Sequence, residues 1–200
     1  MIDTEGLSEG ATGRYDKRLS DLRGLYGDAA AFESQLAVAD RLVYEVREFR
    51  PSEAAGDLIF GSTRMVPGRI GQEYFLTRGH LHKRATRPEI YIGRRGHGVM
   101  LMESPQGESR TIEILPQTAC YVPPFWIHRS VNVGGDDLLM EFCYPADAGQ
   151  DYAVIERSGG MRHRVVADAT GGWTLAPNPA YRPRTGPEIS RLLAAAGQDG

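Results

Sequence analysis

The stretch Gly79-His80-Leu81-His82, with Glu89 seven residues further on, concentrates the side chains best able to do chemistry. Alternate side chains of a strand share a face, so in a strand His80 and His82 project together while Leu81 points away. The intervening residues, Lys83 to Pro88, are polar and end in proline, enough for a turn that returns Glu89 beside the two imidazoles. A fourth candidate, His128, stands in Pro123-Pro124-Phe125-Trp126-Ile127-His128-Arg129-Ser130-Val131-Asn132, where it begins a strand able to close across the same interior. Three neutral imidazoles and one carboxylate form a mixed nitrogen and oxygen donor set. Such a set suits Fe²⁺, Mn²⁺, Ni²⁺, Co²⁺ or Zn²⁺ and is too rich in nitrogen for Ca²⁺ or Mg²⁺. Four protein ligands leave two corners of an octahedron open for the vicinal oxygens of a substrate, which favours a catalytic centre over a structural one.

A lone H-x-H is a weak signal; the Glu89 spacing and the downstream P-x4-H-x3-N segment make it a strong one. Two further histidines carry no such pattern. His97 lies between glycines in a turn and His163 between Arg162 and Arg164, and both are expected at the solvated surface. The glycines of Gly93-Arg94-Arg95-Gly96-His97-Gly98 are in the wrong order for a dinucleotide turn. Neither a phosphate-loop signature nor a G-x-S-x-G elbow is present. Chemistry built on a nucleotide or a serine nucleophile is therefore not indicated.

The elements that must position these residues are short. Leu42 to Phe49 is rich in β-branched and aromatic residues and is stopped by Pro51. Strand candidates then follow at 57–66, 71–81, 89–94, 98–103, 109–115, 119–122, 127–133 and 138–144, separated by turns such as Pro67-Gly68 and Gly134-Gly135-Asp136-Asp137. Many short strands without intervening helices predict an all-β sandwich or jelly-roll β-barrel, the class that includes cupins. Residues 16–25 and 29–41 read as short helical or irregular pieces. The expected organisation is an N-terminal extension over 1–40 packed on the barrel, the barrel over 41–168, and a C-terminal extension over 169–200. In that last part a helix-like run at 188–196 precedes a polar end, and everything after about Ala180 is expected to be a tail.

Composition narrows the partners. The chain has 200 residues, 41% hydrophobic and 24% charged, with 23 Lys and Arg against 26 Asp and Glu for a net charge of -3. That is an ordinary globular composition without the basic patch of a nucleic-acid binder. No signal peptide or membrane-spanning run is visible, so a cytoplasmic protein is expected. Cys120 and Cys143 are far apart and lie in apolar strand-like runs, which predicts two buried thiols rather than a bridge.

The H-x-H…E…G block (His80, His82, Glu89, Gly96) and the P…H-x3-N block (Pro123, His128, Asn132) resemble the two cupin motifs, here with a longer gap before Glu89 than the commonest version. More narrowly, the chain resembles the cupin-type glucose-6-phosphate isomerases first known from archaea. The resemblance lies in Thr77 to His82, Glu89-Ile90-Tyr91, Tyr121 to Arg129 and Tyr144-Pro145-Ala146-Asp147-Ala148-Gly149-Gln150-Asp151-Tyr152. Arg18 to Leu22 and Gly56-Asp57-Leu58 also fit, so that it covers roughly residues 15 to 180. The resemblance implies that His80, His82, Glu89 and His128 hold one divalent transition metal per subunit, Fe²⁺ foremost, and that Glu89 also handles the proton. It implies that Thr63, Thr77, Gly79 and Tyr144 hold the substrate phosphate, with Tyr44, Tyr91 and Tyr152 around the sugar. Gln150 is implied as a substrate-binding residue too; it stands where family members have histidine, and a neutral amide keeps hydrogen bonding but cannot titrate. The implied partners are a phosphorylated sugar and a second copy of the chain, without nucleic acid or membrane.

Aldose–ketose isomerisation agrees with this donor set. A metal chelating adjacent carbonyl and hydroxyl oxygens acts as a Lewis acid, and a carboxylate beside it can shuttle a proton through an enediol. A hydride shift between the same carbons remains open. So do another metal-dependent cupin enzyme (a dioxygenase, a decarboxylase or an isomerase of a different sugar phosphate) and a non-catalytic sugar-binding cupin. The Tyr144 to Tyr152 run with Thr63 and Thr77 is the feature that an oxygenase has no reason to contain.

Overall fold

Turn residues cut the chain into strands short enough to stack as two facing sheets. The computed structural model describes residues 2–3, 6–7 and 10–194. A small hairpin of β1 (Ile2–Asp3) and β2 (Gly6–Leu7) precedes β3 (Gly13–Arg18), a 3-10 turn at Leu19–Leu22 and helix α1 (Ala29–Val38). Next come β4 (Leu42–Phe49), β5 (Leu58–Met65), and the two-residue strands β6 (Arg69–Ile70) and β7 (Glu73–Tyr74). The longer strands β8 (Glu89–Arg95), β9 (Gly98–Glu103), β10 (Ser109–Ile114), β11 (Ala119–Val122), β12 (Ile127–Asn132) and β13 (Leu138–Pro145) follow. Helix α2 (Ala153–Arg157), β14 (His163–Ala167), β15 (Trp173–Pro177) and helix α3 (Gly186–Ala194) complete the described chain.

One sheet runs β11-β8-β13-β5-β4-β3 and the other β10-β9-β12. The segment after β7 extends the second sheet, because bridges join Leu76 to Val131 and His80 to His128. Four lines of chain, β11-β8-β13-β5, thus face four others, β10-β9-β12 and the His80 segment. The path crosses from one sheet to the other in the manner of a double-sheet jelly roll. The expected all-β cupin jelly roll is the architecture observed. Every residue of β9 and β12 is buried, and the core between the sheets holds Met65, Phe75, Met100, Ile114, Ile127 and Leu138.

Two motif residues prove to be structural. Gly96 has φ +81°, and a Cβ there would come within 2.5 Å of the Asp137 carbonyl, so only glycine fits the β8–β9 turn. Asn132 is fully buried. Its amide donates to the Met65 and Asp136 carbonyls at 3.0 Å, and its side-chain oxygen accepts from Gly134 N–H, stapling the β12–β13 turn to β5.

Three local expectations need correction. Residues 16–25 are only in part the short helical or irregular piece expected: Leu19–Leu22 form a 3-10 turn, but residues 16–18 belong to β3, which pairs with β4 as the edge of the large sheet because backbone pairing there outweighs the weak helical spacing. The predicted strand over 71–81 is broken after Tyr74, and Gly79, at φ +74°, turns the chain between Thr77 and His80. The chain beyond Asp168 is also better ordered than expected. Trp173–Pro177 pairs with β14, and a buried ion pair, Arg184 to Glu103 at 2.8 Å, pins the segment before α3 to β9. Of the helix predicted at 188–196, the part to Ala194 is helical and residues 195–196 lie outside the described residues. Cys120 is buried and Cys143 half-buried, both as free thiols.

Candidate metal centre and cleft

The turn at Gly79 lets His80 lie antiparallel to His128, each backbone N–H donating to the other's carbonyl at 3.0 Å. Side chains from two sheets then meet in the barrel. His80, His82, Glu89 and His128 bring one ligand atom each to within 4.8 Å of one another. The second nitrogen of two rings is already committed. His82 Nδ1 lies 2.7 Å from the Arg87 carbonyl and His128 Nδ1 3.2 Å from that of Trp126. A carbonyl can only accept, so these partners set the tautomer with the proton on Nδ1 and the lone pair on Nε2. Those lone pairs converge on one carboxylate oxygen: Glu89 Oε2 lies 3.0 Å from His128 Nε2, 3.2 Å from His82 Nε2 and 3.9 Å from His80 Nε2. Nε2 of His80 and of His82 is buried without a hydrogen-bond partner. Acceptors that face one another with no donor between them are satisfied by a cation, so the donor set fits a divalent transition metal.

Electrostatics agree. Burial first, then the neighbouring His128, holds the His80 pKa well below its ordinary value, which keeps the ring neutral. For Glu89, burial works to raise the pKa, but hydrogen bonds and charge from His128 and His82, available whenever either ring carries a second proton in place of a metal, outweigh it and hold the carboxyl ionised. Burial also opposes charge on His82, yet Glu89 raises its pKa overall. Tyr91 stays a neutral phenol because burial and the Glu89 charge push its pKa far up.

The Tyr144 to Tyr152 run forms the wall of the loop between His82 and Glu89. Leu81 and Asp151 exchange backbone hydrogen bonds at 3.1 and 2.7 Å, and Arg84 N–H donates to the Ala148 carbonyl at 2.9 Å. The Asp147 carboxylate takes Arg84 Nη1 at 2.9 Å and Arg87 Nε and Nη2 at 3.0 and 2.8 Å. Its pKa lies below the ordinary carboxylate range because Arg87 hydrogen-bonds the charged form. Asp147 therefore fixes Arg87, whose carbonyl orients His82. The long gap before Glu89 is this clamped loop.

A cleft opens from His80 and Glu89. All eight residues expected around the substrate line it: Tyr44, Thr63, Thr77, Gly79, Tyr91, Tyr144, Gln150 and Tyr152. Thr77 Oγ1 accepts from Ser130 N–H at 3.0 Å, and Arg78 N–H points at the Tyr44 hydroxyl from 3.5 Å. Tyr144 lies with its ring 5.6 Å from His82 and its hydroxyl 3.4 Å from Arg50 Nη2. Tyr152 donates to the Gln150 side-chain oxygen, and the Arg78 guanidinium sits 4.6 Å from its ring centre.

Sequence reasoning missed Tyr15, Glu48, Ser130, Met140 and Phe142, which also line the cleft, and Lys17 and Arg50 at its mouth. Period-2 alternation from Tyr44 and Tyr144 could have found Glu48, Met140 and Phe142. Tyr15 and Lys17 had no signal while β3 was read as irregular. His97 is half-exposed in its turn, 3.8 Å from Glu113. His163 departs from expectation: it is half-buried, with Nδ1 2.8 Å from Ser109 Oγ, because β14 packs it against β10.

Comparison with known proteins converges on one group. Residues 16–182 match the family model described as glucose-6-phosphate isomerase. The glucose-6-phosphate isomerase of Sinorhizobium medicae is 56% identical over 188 residues, 94% of this chain and 88% of the relative. That of Thermococcus gammatolerans is 42% identical over 90% of this chain and 94% of its own length, and that of Pyrococcus furiosus 38% over 90% and 95%.

Proposed function

Because the chain belongs to the glucose-6-phosphate isomerase family, we propose that it is a metal-dependent aldose–ketose isomerase interconverting glucose 6-phosphate and fructose 6-phosphate. The observation that carries this reading is the convergence of four ligating side chains, two of them with orphaned nitrogens, at the inner end of a polar cleft. His80, His82, Glu89 and His128 would hold the metal, with Fe²⁺ first among the ions this donor set admits. When bound, the ion supplies Lewis-acid stabilisation of charge developing on the two vicinal oxygens of the sugar.

The chain's own groups do the rest. Glu89 accepts the proton from C2 of the aldose and returns it to C1, while the hydroxyl proton passes from O2 to O1. Tyr44, Tyr91, Gln150 and Tyr152 surround the sugar, their hydroxyls and amide meeting its oxygens. Thr63, Thr77, the Gly79 backbone and Tyr144 hold the phosphate, with Arg78 adding charge. Binding this remote group helps place C1 and C2 over the centre. A phosphorylated sugar does not cross membranes unaided, which supports a cytoplasmic enzyme; no helix among the described residues is long and apolar enough to span one. A homodimer is supported by the exposed apolar pair Ile90 and Tyr121, register partners on the outer face of β8 and β11.

The test is a coupled assay of the metal-loaded protein on fructose 6-phosphate, mannose 6-phosphate and free fructose. Turnover of fructose 6-phosphate to glucose 6-phosphate, with little or none of free fructose, is expected. Inert fructose 6-phosphate alongside turnover of another substrate would remove the assignment and leave the metal centre standing.

A further inference from the structure

A second and larger cavity lies on the other side of β12 from the four candidate ligands. Adjacent residues of a strand face opposite ways, so where His128 turns inward to the centre, Arg129 turns out to the floor of this cavity. Arg129 is only 6% exposed. The other charged groups of the cavity are compensated: Arg164 pairs with Glu73 at 2.7 Å, Glu156 with Arg78 at 2.6 Å, and Arg23 with Glu33. Arg129 makes no ion pair among the described residues. Its Nη2 donates to the Arg78 carbonyl at 2.7 Å, and its Nε has no partner. The Glu73 carboxylate, already held by Arg164, offsets the Arg129 charge only from beyond contact, and a buried cation without an ion-pair partner is costly, whereas a guanidinium fork matches a carboxylate or phosphate in shape and charge. Beside it, Tyr26 is equally buried. Its hydroxyl, shut off from solvent, has no completed hydrogen bond, which leaves a second buried polar group unsatisfied beside the guanidinium.

We propose that this cavity is a second binding site, taking a small oxyanion (a phosphate ester or a carboxylate) on the guanidinium of Arg129 and the hydroxyl of Tyr26. Occupancy is transmitted to the cleft by a short path. The same guanidinium holds the Arg78 carbonyl, and Gly79 packs so closely against Arg129 that a Cβ at Gly79 would lie 2.9 Å from that of Arg129. An anion that draws Arg129 towards the cavity changes the Arg78-Gly79 turn lining the cleft, and by linkage a ligand in the cleft changes anion affinity to the same degree. The coupling rests on the sugar-phosphate reading of the cleft; the anion site does not.

Calorimetric titration of the metal-loaded full chain with sulfate, at constant ionic strength, tests this. Two binding events per chain are expected, one abolished by saturating fructose 6-phosphate and one that persists. The persisting event should be weakened about fivefold by Tyr26→Phe, which removes one donor at nearly constant volume, and lost in Arg129→Gln. Tyr26→Phe should leave isomerase activity without sulfate unchanged. A parallel titration with acetate shows whether the site prefers a planar carboxylate to a tetrahedral anion. A single event fully displaced by fructose 6-phosphate, or a persisting event of unaltered affinity in both variants, overturns the proposal. If fructose 6-phosphate displaces neither event, the sugar-phosphate reading of the cleft fails, and the two variants still decide the cavity.

Discussion

Gly79→Ala loads the turn between the cleft and the candidate metal centre, and its cost follows from the geometry. An alanine held at φ +74° costs about 1–2 kcal/mol. Its Cβ would lie 2.9 Å from Arg129 Cβ and 3.0 Å from the His128 carbonyl oxygen, neither of which is a flexible chain end, so the backbone must shift. Overpacking of that kind adds about 1–3 kcal/mol. A total of about 3 kcal/mol lowers the Tm of a chain this long by about 6–12 °C. Gly171→Ala is the control: φ is +86° but nothing lies within 4 Å of its Cβ position, so only the backbone cost of about 1–2 kcal/mol applies. Thermal melts of both variants should separate the contact cost from the dihedral cost, and Gly79→Ala alone should raise KM for fructose 6-phosphate. Equal Tm losses with an unchanged KM would refute the reasoning that close packing at Gly79 shapes the cleft.

Asp147→Asn should weaken metal binding about tenfold by loosening Arg87 behind His82, read by metal-buffered titration; unaltered affinity would make the clamp irrelevant to the centre. Because the folded pKa of Asp147 is depressed by Arg87, its stabilisation is complete above about pH 4, the ordinary carboxylate value. It is lost as pH falls through the folded value, so acid melts of wild type and Asp147→Asn should converge there. Glu89→Gln, with metal occupancy measured on the same sample, should lower turnover far more than sugar-phosphate affinity, since an amide cannot take the proton; near-normal turnover in metal-replete protein would remove Glu89 from catalysis. Isomerisation in D₂O should place deuterium at the transferred position if the proton route operates, and none if a hydride shift does. Thr77→Val should raise KM for the phosphorylated sugar, and unchanged kinetics would leave Thr77 as a strand residue only.

The candidate metal ligands were legible because two of them are two residues apart and all four occur in patterned surroundings that recur in a known family. The barrel was legible for a related reason: its longer strands carry alternation or apolar runs bounded by glycine and proline turns. What escaped depends on pairing partners distant in sequence. Strand β3 is held by β4 and not by its own composition, which hid Tyr15 and Lys17. Trp173–Pro177 is a strand because β14 lies beside it, although glycine and proline dominate the surrounding sequence. The role of Asp147 could not be read locally either, since its arginine partners lie about 60 positions earlier, and only the fold brings them together.

The central claim, isomerase activity that depends on the His80, His82, Glu89 and His128 centre, is tested most directly by titrating metal-free protein with Fe²⁺ and following fructose 6-phosphate isomerisation. No turnover is expected before addition, then a rise that saturates at one ion per chain, and loss of both the bound ion and the rate in His82→Ala. Full activity in protein shown by elemental analysis to hold no transition metal would contradict it.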